Sequence, residues 1–296
     1  FIALAREQHF ARAAEACNIT QPTLTAAIQK LEEDLGARLV IRDHRFVRLT
    51  EEGEKLLVWG RQILVDYGSL KDDLAGLRRG LVGTLHLGVI PAAMSVVSFL
   101  TSRFASAHPA AQVVIRSMTS RAIERALEAF EIDAGVTYLE NEPLEHVRKV
   151  PLYRERYVLV VGRGHSAASN ETITWKEAAG QRLCLLSEDM QNRRIINNVA
   201  ASIGVQLKPD VVSNSYLAVL SHVRHGEWAS IVPHTFARLF FGGAELKQVD
   251  IVEPVHTQSV GLVLSDREPL SPMSGALLSS VANVDFERDL EAAGVH

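Results

Sequence analysis

Between Gln21 and Lys30 the chain sets short hydrogen-bonding side chains beside one cation: Gln21, Thr23, Thr25, Gln29 and Lys30, with Pro22 in the same turn. Soon after, Arg38, Arg42, Arg45 and Arg48 fall within eleven residues. Amides and hydroxyls at a helix N-terminus can exchange hydrogen bonds with base edges, and clustered guanidinium groups can neutralise phosphates. The chemistry on offer is therefore nucleic-acid recognition. It is a local signal, because residues 1–50 hold seven Lys/Arg against six Asp/Glu and the whole chain carries a net charge of −4. A basic stripe counts for more than a basic total when the target is phosphate.

A second group of polar side chains sits where expected strands give way to helices. Pro91, Ala92, Ala93, Met94 and Ser95 follow a first strand, Thr119 and Ser120 a second, and Thr137 and Tyr138 a third. Further on stand Ser187, Glu188 and Arg193, then Ser213, Asn214 and Ser215, then Pro233 and His234. Free N–H groups and helix dipoles at such positions favour anions. Many hydroxyls and at most one cation suit a small carboxylate or oxyanion better than a large aromatic molecule. For each residue singly, ordinary loop capping explains the side chain as well as ligand contact does.

Other chemistries find little support. His222 and His225 lie three apart with His234 nearby, but no Cys or carboxylate completes a metal-ligand spacing, so a solvated polar face is expected and no metal. No Gly-x-Ser-x-Gly elbow is present, and neither a catalytic residue nor a cofactor is assigned, so an enzyme is not expected. Cys17 and Cys184 fall in different expected domains, which predicts two buried thiols, no disulfide and a cytoplasmic setting. No apolar run reaches membrane-spanning length. The chain starts at Phe1, so its first helix is expected to be incomplete.

The elements that must carry these groups can be read in order. An alanine-dense helix over about 10–17 gives way to Asn18-Ile19-Thr20, where Asn tolerates left-handed dihedrals and Thr suits a helix cap. Pro22 falls in the next helix's first turn, and Leu24, Ile28, Leu31 and Leu35 form an inward stripe up to Gly36. Residues 39–49 read as two short strands around Asp43-His44-Arg45. The pattern is that of a winged helix-turn-helix, although helix pairs with a four-residue turn occur in many folds. Thr50 then caps a long helix in which Leu56, Gly60, Ile63, Tyr67, Leu70, Leu74 and Leu77 are spaced 4, 3, 4, 3, 4, 3. Such a seam, with Gly60 its weak member, packs either on its own domain or on a second copy. After Gly83 strands and helices alternate, which predicts two α/β lobes with a cleft between them and crossings near Val161 and Leu264.

The expected organisation is multidomain: a winged helix-turn-helix over 1–50, a dimerisation and linker helix over 51–82, and an effector-binding domain over 83–296. Lobe I of that domain takes 83–160 and 265–296, and lobe II takes 161–264.

The run Ala13-Ala14, Thr20-Gln21-Pro22-Thr23-Leu24-Thr25, Ile28 through Gly36, Leu39, Arg42 and Leu49-Thr50-Glu51-Glu52-Gly53 resembles the LysR-type transcriptional regulators. Looser echoes are Gly88, Asp133-Ala-Gly-Val136 and Gly226-Glu-Trp-Ala-Ser-Ile-Val-Pro233. Within the family there is a faint similarity to regulators encoded beside formate dehydrogenase operons. The resemblance implies a dimer, or a tetramer built as a dimer of dimers, on operator DNA upstream of a regulated operon. RNA polymerase is a further partner it allows, and the setting is the nucleoid. It also implies a periplasmic-binding-protein-like domain that senses a small metabolite. By position, the family's DNA contacts fall on Gln21, Pro22, Thr23, Thr25, Arg42, Arg45 and Arg48. Ala26 stands where many members carry Arg, and His9 where a capping Ser is usual. A bilobed solute-binding protein without DNA function is the alternative, and it gives residues 1–80 no role.

Overall fold

The structure is a computed structural model describing residues 1–43, 45–79, 81–236, 245–282 and 284–292; for 42, 43, 45–47, 69, 72–79 and 291 it describes the backbone alone. The chain divides into two compact units, Phe1–Leu74 (with Glu128–Phe130) and Ala75–Leu127 with Glu131–His296.

The first unit opens with α1 (Ile2–Glu7), α2 (Phe10–Ala16) and α3 (Gln21–Leu35), followed by the antiparallel pair β1 (Val40–Asp43) and β2 (Arg45–Leu49). Helix α4 (Glu51–Arg79) begins in this unit. Small Ala13 and Ala14 let the helices close around Leu4, Leu24, Ile28, Leu39 and Val40, all buried. The turn between α2 and α3 forms as its residue types require, with Asn18 left-handed at φ 54°. Leu35 departs from the expected inward stripe and is half exposed. Left-handed Gly36 ends the helix there, and Leu39 on the next segment fills the core instead.

Several bonds fix the start of α4. Thr50 Oγ1 accepts from Gly53 N at 2.9 Å and donates to Arg38 O at 2.6 Å, while Thr50 N donates to Leu39 O at 3.1 Å. Glu32 Oε1 accepts from Leu39 N and Val40 N. Gly53 is obligatory here, since a Cβ would sit 2.2 Å from the Leu39 carbonyl oxygen.

The second unit is a mixed α/β body. Its strands are β3 (Gly83–Val89), β4 (Ala111–Ser117), β5 (Ala134–Tyr138), β6 (Val147–Gly162), β7 (Thr172–Thr174), β8 (Leu183–Leu186), β9 (Pro209–Ser213), β10 (Ala229–Pro233), β11 (Leu246–Val252) and β12 (Thr257–Ser265). Among them run α5 (Val97–Ala107), α6 (Ser120–Glu128), α7 (Trp175–Ala179), α8 (Gln191–Ser202), α9 (Tyr216–His225) and two closing helices, Pro272–Val281 and Phe286–Ala292. The strand order is β4-β3-β5-β12-β6-β10-β8-β9, with β11 joining β6 to β7.

Strand β6 is the spine of this unit. Residues 147–156 pair with β12 in lobe I, whereas 157–162 pair with β10 and β11 in lobe II. The outward crossing therefore falls between Arg156 and Tyr157, not near Val161. The whole of β12 already belongs to the lobe I ladder, so the return crossing lies at 253–256 rather than near Leu264. The extended run begins ten residues before its apolar part because Arg148, Lys149, Arg154 and Arg156 interrupt the hydrophobic signal without interrupting the strand. Strands β7 and β11 and the helix Phe286–Ala292 were not anticipated.

Cys184 is buried on β8, and burial pushes its thiol up to about 11; Cys17, expected to be buried, is exposed at the end of α2. Among the described residues no helix is long and apolar enough to cross a membrane.

Candidate functional site: a helix N-terminus with a wing, and an interlobe polar cluster

In the first unit the polar residues at the start of α3 share an open surface. Gln21, Pro22, Thr23, Ala26, Gln29 and Lys30 are exposed and Thr25 is half-buried. The cap is Thr20, whose Oγ1 accepts from Thr23 N at 3.4 Å and lies 2.8 Å from Thr23 Oγ1. Thr25 Oγ1 donates to Gln21 O at 3.0 Å, so this hydroxyl is tied to its own helix. Helix α2 starts at His9 without a side-chain cap, as the residue type foreshadows. Arg38 and Arg48 are exposed. The strands β1 and β2 carry Arg42 and Arg45, whose side chains lie outside the described residues.

Along α4 the expected seam separates into two parts. Leu56 and Leu57 are partly buried against the core of the first unit. Ile63, Tyr67 and Leu70 are 61%, 60% and 56% exposed. Trp59, the most exposed of this set at 67%, joins Val58 and Leu64 on the open surface and was not foreseen. The side chains of Leu74 and Leu77 lie outside the described residues.

In the second unit the chemistry gathers where β6 passes between the lobes. Tyr153, Glu155 and Tyr157 occupy alternate positions of one strand and so share a face, and all three are buried. A chain of donors ends on the carboxylate. Tyr216 OH donates to Asn192 Oδ1 at 2.9 Å, Asn192 Nδ2 to Tyr138 OH at 2.8 Å, and Tyr138 OH to Glu155 Oε1 at 2.6 Å. Tyr138 ends β5 in lobe I, while Asn192 and Tyr216 stand in the first turns of α8 and α9 in lobe II. Burial pushes the Glu155 carboxyl up to about 8, opposed by the hydroxyls of Tyr138 and Tyr157. Tyr157 also bonds Glu155, and Tyr153 is paired with Thr235, whereas Thr137 Oγ1, Ser187 Oγ, Gln191 Oε1 and Ser230 Oγ are buried without a hydrogen-bond partner.

The expected pocket residues divide around this cluster. Tyr138 is in it, and Thr137 and Ser187 are among the buried hydroxyls with no partner. Pro91, Ala92 and Ala93 form a short 3-10 turn, followed by Met94 on the surface and by Ser95, whose buried Oγ donates to Ala92 O. Thr119 caps α6 through Ala122 N. Ser120 donates to Glu142, which pairs with Arg194 of α8 and so latches the lobes. Arg193, the expected cation, is committed within lobe II to Leu186 O and Asn197 Oδ1, both at 2.9 Å. Exposed Glu188 lies 3.9 Å from it. Ser213 Oγ accepts from Ser215 N, Asn214 is exposed, Pro233 is buried, and His234 Nδ1 accepts from Arg156 N at 3.2 Å. The sequence reading missed Tyr153, Glu155, Tyr157, Asn192 and Tyr216. The three on β6 show a Tyr-x-Glu-x-Tyr alternation that a strand assignment from residue 147 would have exposed.

Among the described residues no group of three or more His, Cys, Asp or Glu side chains could hold a metal ion. The first turns of α5, α8 and α9 lack side-chain caps, which leaves backbone N–H groups at those helix ends.

Comparison with known proteins agrees with this arrangement. Residues 1–54 match the family described as bacterial regulatory helix-turn-helix protein, lysR family, and residues 78–284 match the LysR substrate binding domain. The hydrogen peroxide-inducible genes activator of Haemophilus influenzae is 29% identical over 188 residues, 63% of this chain and 62% of that protein. The chain thus spans under two thirds of the length of the peroxide activators it matches. An Escherichia coli regulator, YnfL, is 29% identical over 281 residues, 92% of each chain. Full-length OxyR from Pseudomonas aeruginosa superposes with a TM-score of 0.76 at 22% identity, covering 96% of this chain and 93% of that one. CbnR, solved with its target DNA, gives 0.68 at 23%, covering 95% and 96%. The effector binding domain of QuiR, solved with shikimate, gives 0.58 at 23%, covering 67% and 95%. At such identities the structural likeness is one of fold. The two family matches account for most of the chain, which therefore belongs to the LysR family of transcription regulators and not to an enzyme family.

Proposed function

We propose that this chain is a cytoplasmic, nucleoid-associated regulator that binds operator DNA as a dimer or a dimer of dimers, under control of a small metabolite held between its α/β lobes. The observation that carries the first half is the exposed, Thr20-capped start of α3, with Gln21, Thr23, Gln29 and Lys30 on its open surface. Residues 1–50 would read DNA, with Gln21, Pro22, Thr23 and Thr25 toward base edges and Arg42, Arg45 and Arg48 toward phosphates. Residues 51–82 would pair two copies through Ile63, Tyr67 and Leu70, extended by Leu74 and Leu77. Residues 83–296 would sense the effector. CbnR, which shares the fold, was solved on its target DNA, and this supports the same use here. RNA polymerase would be the downstream partner.

For the effector we favour a small carboxylate or oxyanion. The uncapped first turns of α5, α8 and α9 supply N–H donors, and QuiR, of the same fold, holds shikimate, itself a small hydroxylated carboxylate. A solute-binding protein without DNA function would leave residues 1–54 unused, although they match a DNA-binding family. The test is a gel shift on the intergenic DNA upstream of the chain's own gene, with unrelated DNA as competitor. Specific retention at near-physiological salt is expected, and equal competition by unrelated DNA would refute the reading.

A further inference from the structure

We propose that Ala26 sets part of the operator sequence by packing its methyl group against the C5-methyl of a thymine in each half-site; this rests on the reading of residues 1–50 as the DNA-binding module. Leu24 and Ile28 are buried and Leu31 is partly buried, so these three fix the inner face of α3. At about 100° per residue, Ala26 lies roughly 165° around the helix from their mean direction. It is exposed, and it sits in the first two turns, the part of a recognition helix that approaches base edges. Pro22, one turn before it, and Gln29, one turn after it, share this outer face and are exposed too.

The hydrogen bonds nearby narrow what this face can read. Thr25 Oγ1 donates to Gln21 O, and Thr23 Oγ1 lies 2.8 Å from the capping Thr20 Oγ1, so both hydroxyls are engaged within their own helix. The middle of the face is therefore apolar at Pro22 and Ala26, with the Gln29 amide at its far end. Each base pair shows its own pattern in the major groove, and the thymine methyl is the apolar feature of that pattern. A methyl side chain neither donates nor accepts, so a donor or acceptor on a base that it covered would lose its water without replacement. The thymine methyl is covered without that loss. Cytosine carries only a hydrogen at the same carbon and leaves the space unfilled.

The test uses the full chain and its own upstream intergenic duplex, with each thymine of the footprinted site replaced singly by deoxyuridine, which lacks only the C5-methyl. At least one thymine in each half-site should matter, its replacement weakening binding about 4-fold, as one buried methyl contributes. In Ala26→Gly that thymine should become indifferent. Ala27→Gly, which carries the same glycine penalty on the flank of the helix, should keep the full sensitivity. The comparison of thymine with deoxyuridine is made within each variant, so a uniform loss of helix stability does not alter it. If Ala26→Gly does not fold, Ala26→Ser, which sets a hydroxyl in the contact, should also lower the sensitivity. Deoxyuridine tolerated at every position, or a sensitivity that survives intact in the Ala26 variants, would overturn the inference while leaving DNA binding in place. Failure of the unmodified duplex to bind specifically would overturn the DNA-reading module, and this inference with it.

Discussion

Asn192 of α8 donates through Nδ2 to the hydroxyl of Tyr138 on β5, a 2.8 Å bond that joins the first turn of a lobe II helix to the end of a lobe I strand. Through Tyr138 it reaches Glu155 on β6, the strand that runs through both lobes. The same two lobes are tied again by Arg194 and Glu142, and by Gln191 Nε2 donating to Glu140 O at 3.3 Å. A ligand that alters this set of contacts changes how firmly the lobes are held, which is the property a sensor needs.

Glu155 gives the second unit a pH-dependent stability. Its carboxyl titrates at about 8 when folded against an ordinary value of 4.5, so the native state binds the extra proton between those limits. The contribution is fully present below about pH 4.5 and is lost as pH rises through 8. The groups facing it are the hydroxyls of Tyr138, Tyr153 and Tyr157, with Tyr216 beyond, all of which burial keeps neutral across this range. Compared with Glu155→Gln, the unmodified protein should lose on the order of a few kcal/mol between pH 5 and 9, read by chemical denaturation. A difference that stays constant with pH would contradict the assignment.

Substitution of Gly53 should damage the DNA-reading module where α4 begins against the Leu39 carbonyl. In Gly53→Ala the new Cβ meets the Leu39 carbonyl oxygen at 2.2 Å, forcing α4 away from β1. A loss of about 1–3 kcal/mol is expected from overpacking of this kind. Thr50→Ala removes the cap and the bond to Arg38 O, and should cost about 1 kcal/mol. Thermal melts of residues 1–74 within the full chain would report both, and an unchanged melt for Gly53→Ala would mean that α4 starts elsewhere.

The exposed apolar side chains of α4 predict self-association. Replacing Ile63 or Leu70 by Glu places a charge among Trp59, Leu64 and Tyr67 and should convert the assembly to a monomer in analytical ultracentrifugation, with little effect on the fold. An unaltered sedimentation coefficient would place the pairing surface elsewhere.

Contacts to bases and to phosphates should separate in binding assays. Arg48→Ala should weaken binding to every duplex and lower the salt slope by about 1, whereas Gln21→Ala should change which site is preferred. Equal losses on specific and random DNA for Gln21→Ala would argue against direct readout.

Much of this fold is written in periodicities. Helix α9 begins at Tyr216 and ends at His225 as its apolar spacing requires, and α3 runs from Gln21 to the left-handed Gly36. What escaped follows a physical rule: strands whose polar residues face packed neighbours do not alternate cleanly. The segment Leu246–Val252 holds Lys247, Gln248 and Asp250 yet pairs with β6 over 246–250 and with β7 over 250–252. Glu155 is the sharpest instance, because a charged residue in a basic stretch reads as solvent-facing and instead has no exposed surface. Tyr138 at its strand end was legible as a candidate, but the carboxyl it bonds could be found only once β6 was seen to pass through both lobes.

The stoichiometry of the full chain with its own upstream intergenic DNA, measured by sedimentation at near-physiological salt, tests paired reading heads most directly. Two or four chains per duplex, on a site footprinted as an interrupted dyad, are expected from paired α4 helices carrying two reading heads. One chain per duplex, or no saturable complex, would contradict this pairing.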